Sequence, residues 1–208
     1  MSGLIRGLLG LVLALVILMP SGTLIFIWWD GSQLLGQKQA QVWTTPRPAG
    51  ETTPLTPLEA TAANAIFSKT WNVSGTPCRT YARFFINYTG KPDKDGLSVS
   101  QVIARDIASK LSPGVKLRQQ LQQLSVACQL EQQYDDATLL RMYLRQAYFG
   151  GKLVGSDAAS DAIFHKAAGL LTPDESAKLV SLIYWPDGQQ HPSDWDRHAK
   201  LISDRASR

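Results

Sequence analysis

The chain has 208 residues, 44% hydrophobic and 18% charged, with a net charge of +4; this excludes global disorder and is enough for one domain with its own core. The basicity is local: residues 69–118 carry nine Lys or Arg against three Asp, whereas residues 119–208 carry nine against eleven acids. Such a block suits an anionic lipid surface, or equally a solvated face without a partner; the N-terminal anchor argues against nucleic acid.

Between Arg6 and Asp30 lie twenty-three residues without a charge, about 35 Å as a helix and therefore sufficient to cross a bilayer. Pro20, Ser21 and Gly22 predict a kink, and Trp28 and Trp29 stand where an interfacial aromatic belt belongs. A cleaved leader would need a small-residue cleavage site; Pro20-Ser21-Gly22 is a poor one, and the apolar run continues from Leu24 to Trp29. The expectation is a cytoplasmic tail at 1–6, a single transmembrane anchor at 7–29 and a domain on the far side of the membrane.

Residues 30–58 read as a linker, because Pro46, Pro48, Pro54 and Pro57 deny the backbone the donors a helix or sheet needs. Its stiffness would hold the domain near the membrane without burying it. From 59 to 208 helical signals follow one another. Leu117, Leu121, Leu124 and Cys128 repeat every three to four residues, predicting an apolar stripe on a Gln-rich helix. Asp135 is placed to cap the next helix, which carries Leu139, Leu140, Tyr143, Leu144 and Ala147. Thr172-Pro173-Asp174-Glu175 combines an N-cap Thr, a first-turn Pro and a Glu three residues after the cap. That helix ends at Tyr184 and Trp185 before Pro186, and a last one spans 193–206. No sustained alternation predicts strands. The fold class is mostly α.

Cys78 and Cys128 are fifty residues apart, and outside the cytoplasm they are free to form a disulfide. Cys128 also continues the apolar stripe, so two small core residues is an equal reading. His165, His191 and His198 show no ligand spacing with either cysteine, so no metal or other cofactor is expected.

The segment LLRMYLRQAYFG at 139–150 resembles ILExYLNxIYFG of the peptidoglycan glycosyltransferases of family 51, the transglycosylase domain of penicillin-binding proteins. DGLSVSQVIARDIASKL at 95–111 is similar to that family's GGSTITQQLxKNL, with Gly96, Gln101 and Arg105 on matching positions. SDAASDAIFHKAAGLLTPDESAKLVSLIYWP at 156–186 continues the likeness. The resemblance implies a lysozyme-like helical domain behind a transmembrane helix in a bacterial inner membrane, with the domain periplasmic.

The same family uses two glutamates, one as general base on the acceptor hydroxyl in EDxxFxxHxG, the other assisting the donor side in RKxxE. With Trp71 on the motif's Phe, the first glutamate position holds Phe67; counting back from Glu131, the second holds Gln123. No catalytic residue is therefore assigned, since a base must be a group able to take the proton. Further departures are Asp106 for Asn, Arg141 for Glu, Arg145 for Asn, and Arg197-His198 for a paired Arg. What the resemblance leaves is a pseudoenzyme that binds lipid-linked peptidoglycan precursor or glycan, or scaffolds cell-wall synthesis. Ser98, Ser100, Gln101, Arg105 and Arg118 would line its groove; the plainer alternative makes Ser98 and Gln101 helix caps and Arg105 a surface cation. Two other readings stand beside it. One is an active glycosyltransferase using Glu59, Asp93, Asp95, Asp106 or Glu131; the other is a ligand-free docking protein among cell-wall synthases or another envelope complex.

Overall fold

The computed structural model describes residues 25–26, 28–36, 54–67, 78, 98–111 and 116–207. The anchor expected at 7–29 falls mostly outside the described residues, as do Trp71, Asp93, Asp95 and most of the expected linker. Among the described residues no helix is long and apolar enough to cross a membrane.

Among the described residues the domain includes the helices α1 (Pro57–Phe67), α2 (Val99–Leu111), α3 (Lys116–Gln133), α4 (Asp136–Gln146), α5 (Ser156–Phe164), α6 (Pro173–Tyr184) and α7 (Pro192–Ala206). Among the described residues the extended backbone pairs only at an isolated antiparallel bridge between Tyr148 and Val154.

Local chemistry explains where these helices begin. At α6, Thr172 Oγ1 accepts from the Glu175 amide at 3.3 Å and Glu175 Oε2 accepts from the Thr172 amide at 2.9 Å. This reciprocal capping box satisfies two donors that a helix end leaves orphaned. The same Thr-Pro-x-Glu pattern opens α1, where Thr56 and Glu59 exchange bonds of 3.3 and 2.9 Å. Asp135 caps α4 by accepting from the Thr138 amide at 2.7 Å.

α1 packs against both α6 and α7, while α2 lies along α3 and touches α4. Thr61, Ala62, Ala63 and Ala65 are buried on α1, and such small side chains let neighbouring backbones approach closely. Around them Ile103, Ile107, Leu130, Leu139, Leu140, Phe149, Leu179, Leu182 and Ile202 are each at most 1% exposed. Each contributes roughly 1.5–3 kcal/mol through removal from water. Cys78 and Cys128 are bonded, with Cα atoms 4.6 Å apart, tying residue 78 to α3.

α3 departs from the expected stripe. Leu117 is 63% exposed, Leu121 and Leu124 are half-buried, and the buried face instead includes Gln122, Ser125, Val126, Gln129 and Leu130. The cause is a second helical segment, 28–35, docked on that face; residues 30–36 thus belong to the folded body and not to the linker. Asp30 and Leu34 are buried there. Gln122 Nε2 donates to Asp30 Oδ2 at 2.8 Å, Gln129 Nε2 donates to the Trp28 carbonyl at 3.1 Å, and Ser32 Oγ donates to Gln129 Oε1 at 3.0 Å. A Cβ at Gly31 would collide with the Ser125 hydroxyl, so glycine is what allows this approach.

Candidate functional site

α2 and α3 run antiparallel, so the start of α2 meets the end of α3. There Ser98 Oγ donates to Ser100 Oγ at 2.8 Å and Ser100 Oγ donates to Glu131 Oε1 at 2.6 Å; the second bond uses the Ser100 proton and thereby sets the direction of the first. Gln101 completes a capping box with Ser98: Gln101 Oε1 accepts from the Ser98 amide at 2.9 Å, and Ser98 Oγ accepts from the Gln101 amide at 3.3 Å. Ser98, Ser100 and Gln101 are thus close together, and their hydrogen bonds are to one another and to Glu131. Ser100 is only 1% exposed.

Arg118 does not join them. It lies thirteen residues before Glu131, about 20 Å along α3. Its Nε and Nη2 donate to Asp30 at 3.1 and 2.9 Å. This fork-on-carboxylate geometry is the strongest form of such a pair. The guanidinium holds the Asp30 carboxyl below its ordinary range, Gln122 adds to this, and partial burial opposes both.

The fifth expected ligand, Arg105, is exposed on α2, and its positive charge reaches the Tyr143 hydroxyl. Tyr143 also meets Phe67 edge-on, with ring centroids 5.6 Å apart and an interplanar angle of 86°. Burial, helped by nearby Tyr184 and opposed by Arg105, pushes the Tyr143 hydroxyl up to about 12. Phe67 itself is 2% exposed, a filled part of the core. Gln123 is half-buried on α3.

The alternative carboxylates within the described residues are engaged. Glu59 accepts from Arg141 Nε at 2.9 Å and from the Thr56 amide; Asp106 pairs with Lys110 at 2.7 Å; Glu131 takes the Ser100 proton. No cluster of three or more His, Cys, Asp or Glu able to hold a metal occurs among the described residues.

Asp30, Gln122, Ser125 and Gln129 form a polar seam that sequence reasoning missed. Its signal was present: Gln122, Ser125 and Gln129 repeat at three and four residues, the spacing of one helix face, but polar residues at that spacing look like a solvated side.

The family model described as Transglycosylase matches residues 75–207. Penicillin-binding protein 1F of Bacillus subtilis is 33% identical over 106 residues, covering 42% of this chain and 15% of the relative. Penicillin-binding protein 1A of Aquifex aeolicus is 24% identical over 206 residues, covering 88% and 27%. The biosynthetic peptidoglycan transglycosylase of Azoarcus sp. is 27% identical over 94 residues, covering 45% and 40%. The chain therefore spans less than half the length of each of these relatives. With the model matching well over half of a helical chain whose α2, α4 and α6 carry the motifs quoted above, the protein belongs to the transglycosylase family.

Proposed function

We propose that this chain is a membrane-anchored, non-catalytic transglycosylase-family protein that binds lipid-linked peptidoglycan precursor or nascent glycan, or scaffolds cell-wall synthesis. One observation carries the reading: Phe67, on the position matched to the general base, is a buried ring packed edge-on against Tyr143. A phenyl ring accepts no proton, and a step that ordinarily contributes about 10²–10⁴-fold is then missing. Gln123 on the second glutamate position offers hydrogen bonds without charge, which removes electrostatic assistance on the donor side as well.

The anchor belongs to the same proposal. The uncharged run 7–29 has the length to span, and Ile25, Phe26 and Trp29 are more than half exposed at its end, as lipid- or interface-facing side chains would be. The domain is then periplasmic, at the outer face of a bacterial inner membrane. Arg105 and the half-buried Gln123 are the groups left to contact pyrophosphate or sugar.

The test is polymerisation of lipid-linked disaccharide by the purified full-length chain in the absence of other synthases. The expected result is no chain growth. Robust growth that disappears on Glu131→Gln or Asp106→Asn would overturn the non-catalytic reading and favour an enzyme working through other carboxylates.

A further inference from the structure

A cavity of about 280 Å³ opens between α1, α4 and α5. It lies across α4 from Tyr143, because residues two apart on a helix point to opposite sides; Arg141 and Arg145 line it, whereas Tyr143 faces Phe67. These two arginines are one turn apart, so both guanidiniums serve the same face. They stand where the motif resembled by 139–150 has an acid and an amide, which makes the charge at this spot a departure from the family pattern.

The opposite wall is the start of α5. Its N-cap, Gly155, has φ 90° and no side-chain cap; a Cβ there would come within 2.8 Å of the Arg145 carbonyl. Glycine thus lets α5 begin directly against α4, with its first-turn amides uncapped by any side chain. Ser156, 7% exposed, lines the cavity, and its hydroxyl has no hydrogen-bond partner among the described residues. There the hydroxyl is placed to donate to a ligand oxygen. Two acids share the cavity. Glu59 already accepts from Arg141 and from the Thr56 amide, and Asp157 is exposed.

We propose that this cavity is a binding site for a small oxyanion, a phosphate group held by Arg145, the Ser156 hydroxyl and the first-turn amides of α5. Helix N-termini favour negative charge through their free amides and dipole, and guanidinium forks match tetrahedral oxyanions. Arg141 is held toward the site by Glu59 and adds field.

The experiment follows the backbone amide resonances of Ser156, Asp157 and Ala158 in the purified full-length chain in neutral detergent micelles. Inorganic phosphate is titrated against sodium chloride at equal ionic strength. The expected result is a saturable shift with phosphate alone, weakened about tenfold in Arg145→Gln and lowered in Ser156→Ala. Unchanged resonances elsewhere show that each variant remains folded. Phosphatidylcholine vesicles with and without phosphatidic acid then distinguish the sources: competition by the acidic vesicles identifies a lipid headgroup, and none identifies soluble phosphate. Equal drift in phosphate and chloride, or full affinity retained in both variants, would overturn the proposal.

Discussion

Asp30 and Arg118, 88 positions apart in the chain, share two hydrogen bonds of 2.9 and 3.1 Å. They join the helical segment that follows the apolar run to the first turns of α3. Because Asp30 is held below its ordinary range, the folded state binds its proton less readily than the unfolded state. The pair's stabilisation is thus complete above the unfolded carboxylate value of about 3.9 and is lost as pH falls through the lower folded value. We expect emission from Trp28 and Trp29 to be flat from neutrality to about pH 4 and to change below it. Asp30→Asn should abolish that acid transition; its persistence in the variant would assign it elsewhere.

Phe67 and Tyr143 give a second expectation. Phe67→Ala should cost about 3–5 kcal/mol in chemical denaturation, as large core truncations do. Phe67→Glu should also destabilise and restore no polymerisation, because a carboxyl placed among buried rings stays protonated or unfolds its surroundings.

Tyr143 itself predicts behaviour in alkali. Its folded value of about 12 exceeds the ordinary one of about 10. Its stability contribution is then intact below pH 10 and declines as pH rises from there through the folded value. Spectrophotometric titration should show one tyrosine ionising last, and Tyr143→Phe should remove that late step.

Arg141 and Glu59 form a largely enclosed pair, with side chains 17% and 13% exposed. Arg141→Ala should cost about 1.5–3 kcal/mol, the range for hydrogen bonds to charged groups. A double-mutant cycle with Glu59→Gln should show coupling; additive losses would show that the two side chains act separately.

Reduction of the Cys78–Cys128 bond, which closes a loop of fifty residues, should lower stability by about 4 kcal/mol on loop-closure grounds. Matched melts with and without reductant, compared with a Cys78→Ser, Cys128→Ser variant, measure it.

Signals carried within four residues were the legible ones. Thr172 to Glu175, Asp135 and the Trp185-Pro186 stop each mark a helix end by chemistry next to that end. Thr56 to Glu59 carries the same signal, yet the surrounding prolines drew it into the linker. The polar face of α3 was illegible because the partners of Gln122, Ser125 and Gln129 sit about a hundred positions upstream, and no local pattern announces them. Among expected site residues, Ser98 and Gln101 were found together because a cap is local. Arg118 was misplaced because its carboxylate is distant in sequence.

Docking of residues 28–36 changes what the proline-rich stretch does. Residue 36 at one end and Pro54 at the other both belong to the same folded body, so their separation is set by that body and not by the length of the stretch 37–53. Lengthening it by ten Gly/Ser residues should cost only a fraction of a kcal/mol, roughly as (3/2)RT ln n. The distance from Trp28 to Tyr143 should stay the same, since it is set by the seam at Gly31 and not by the stretch.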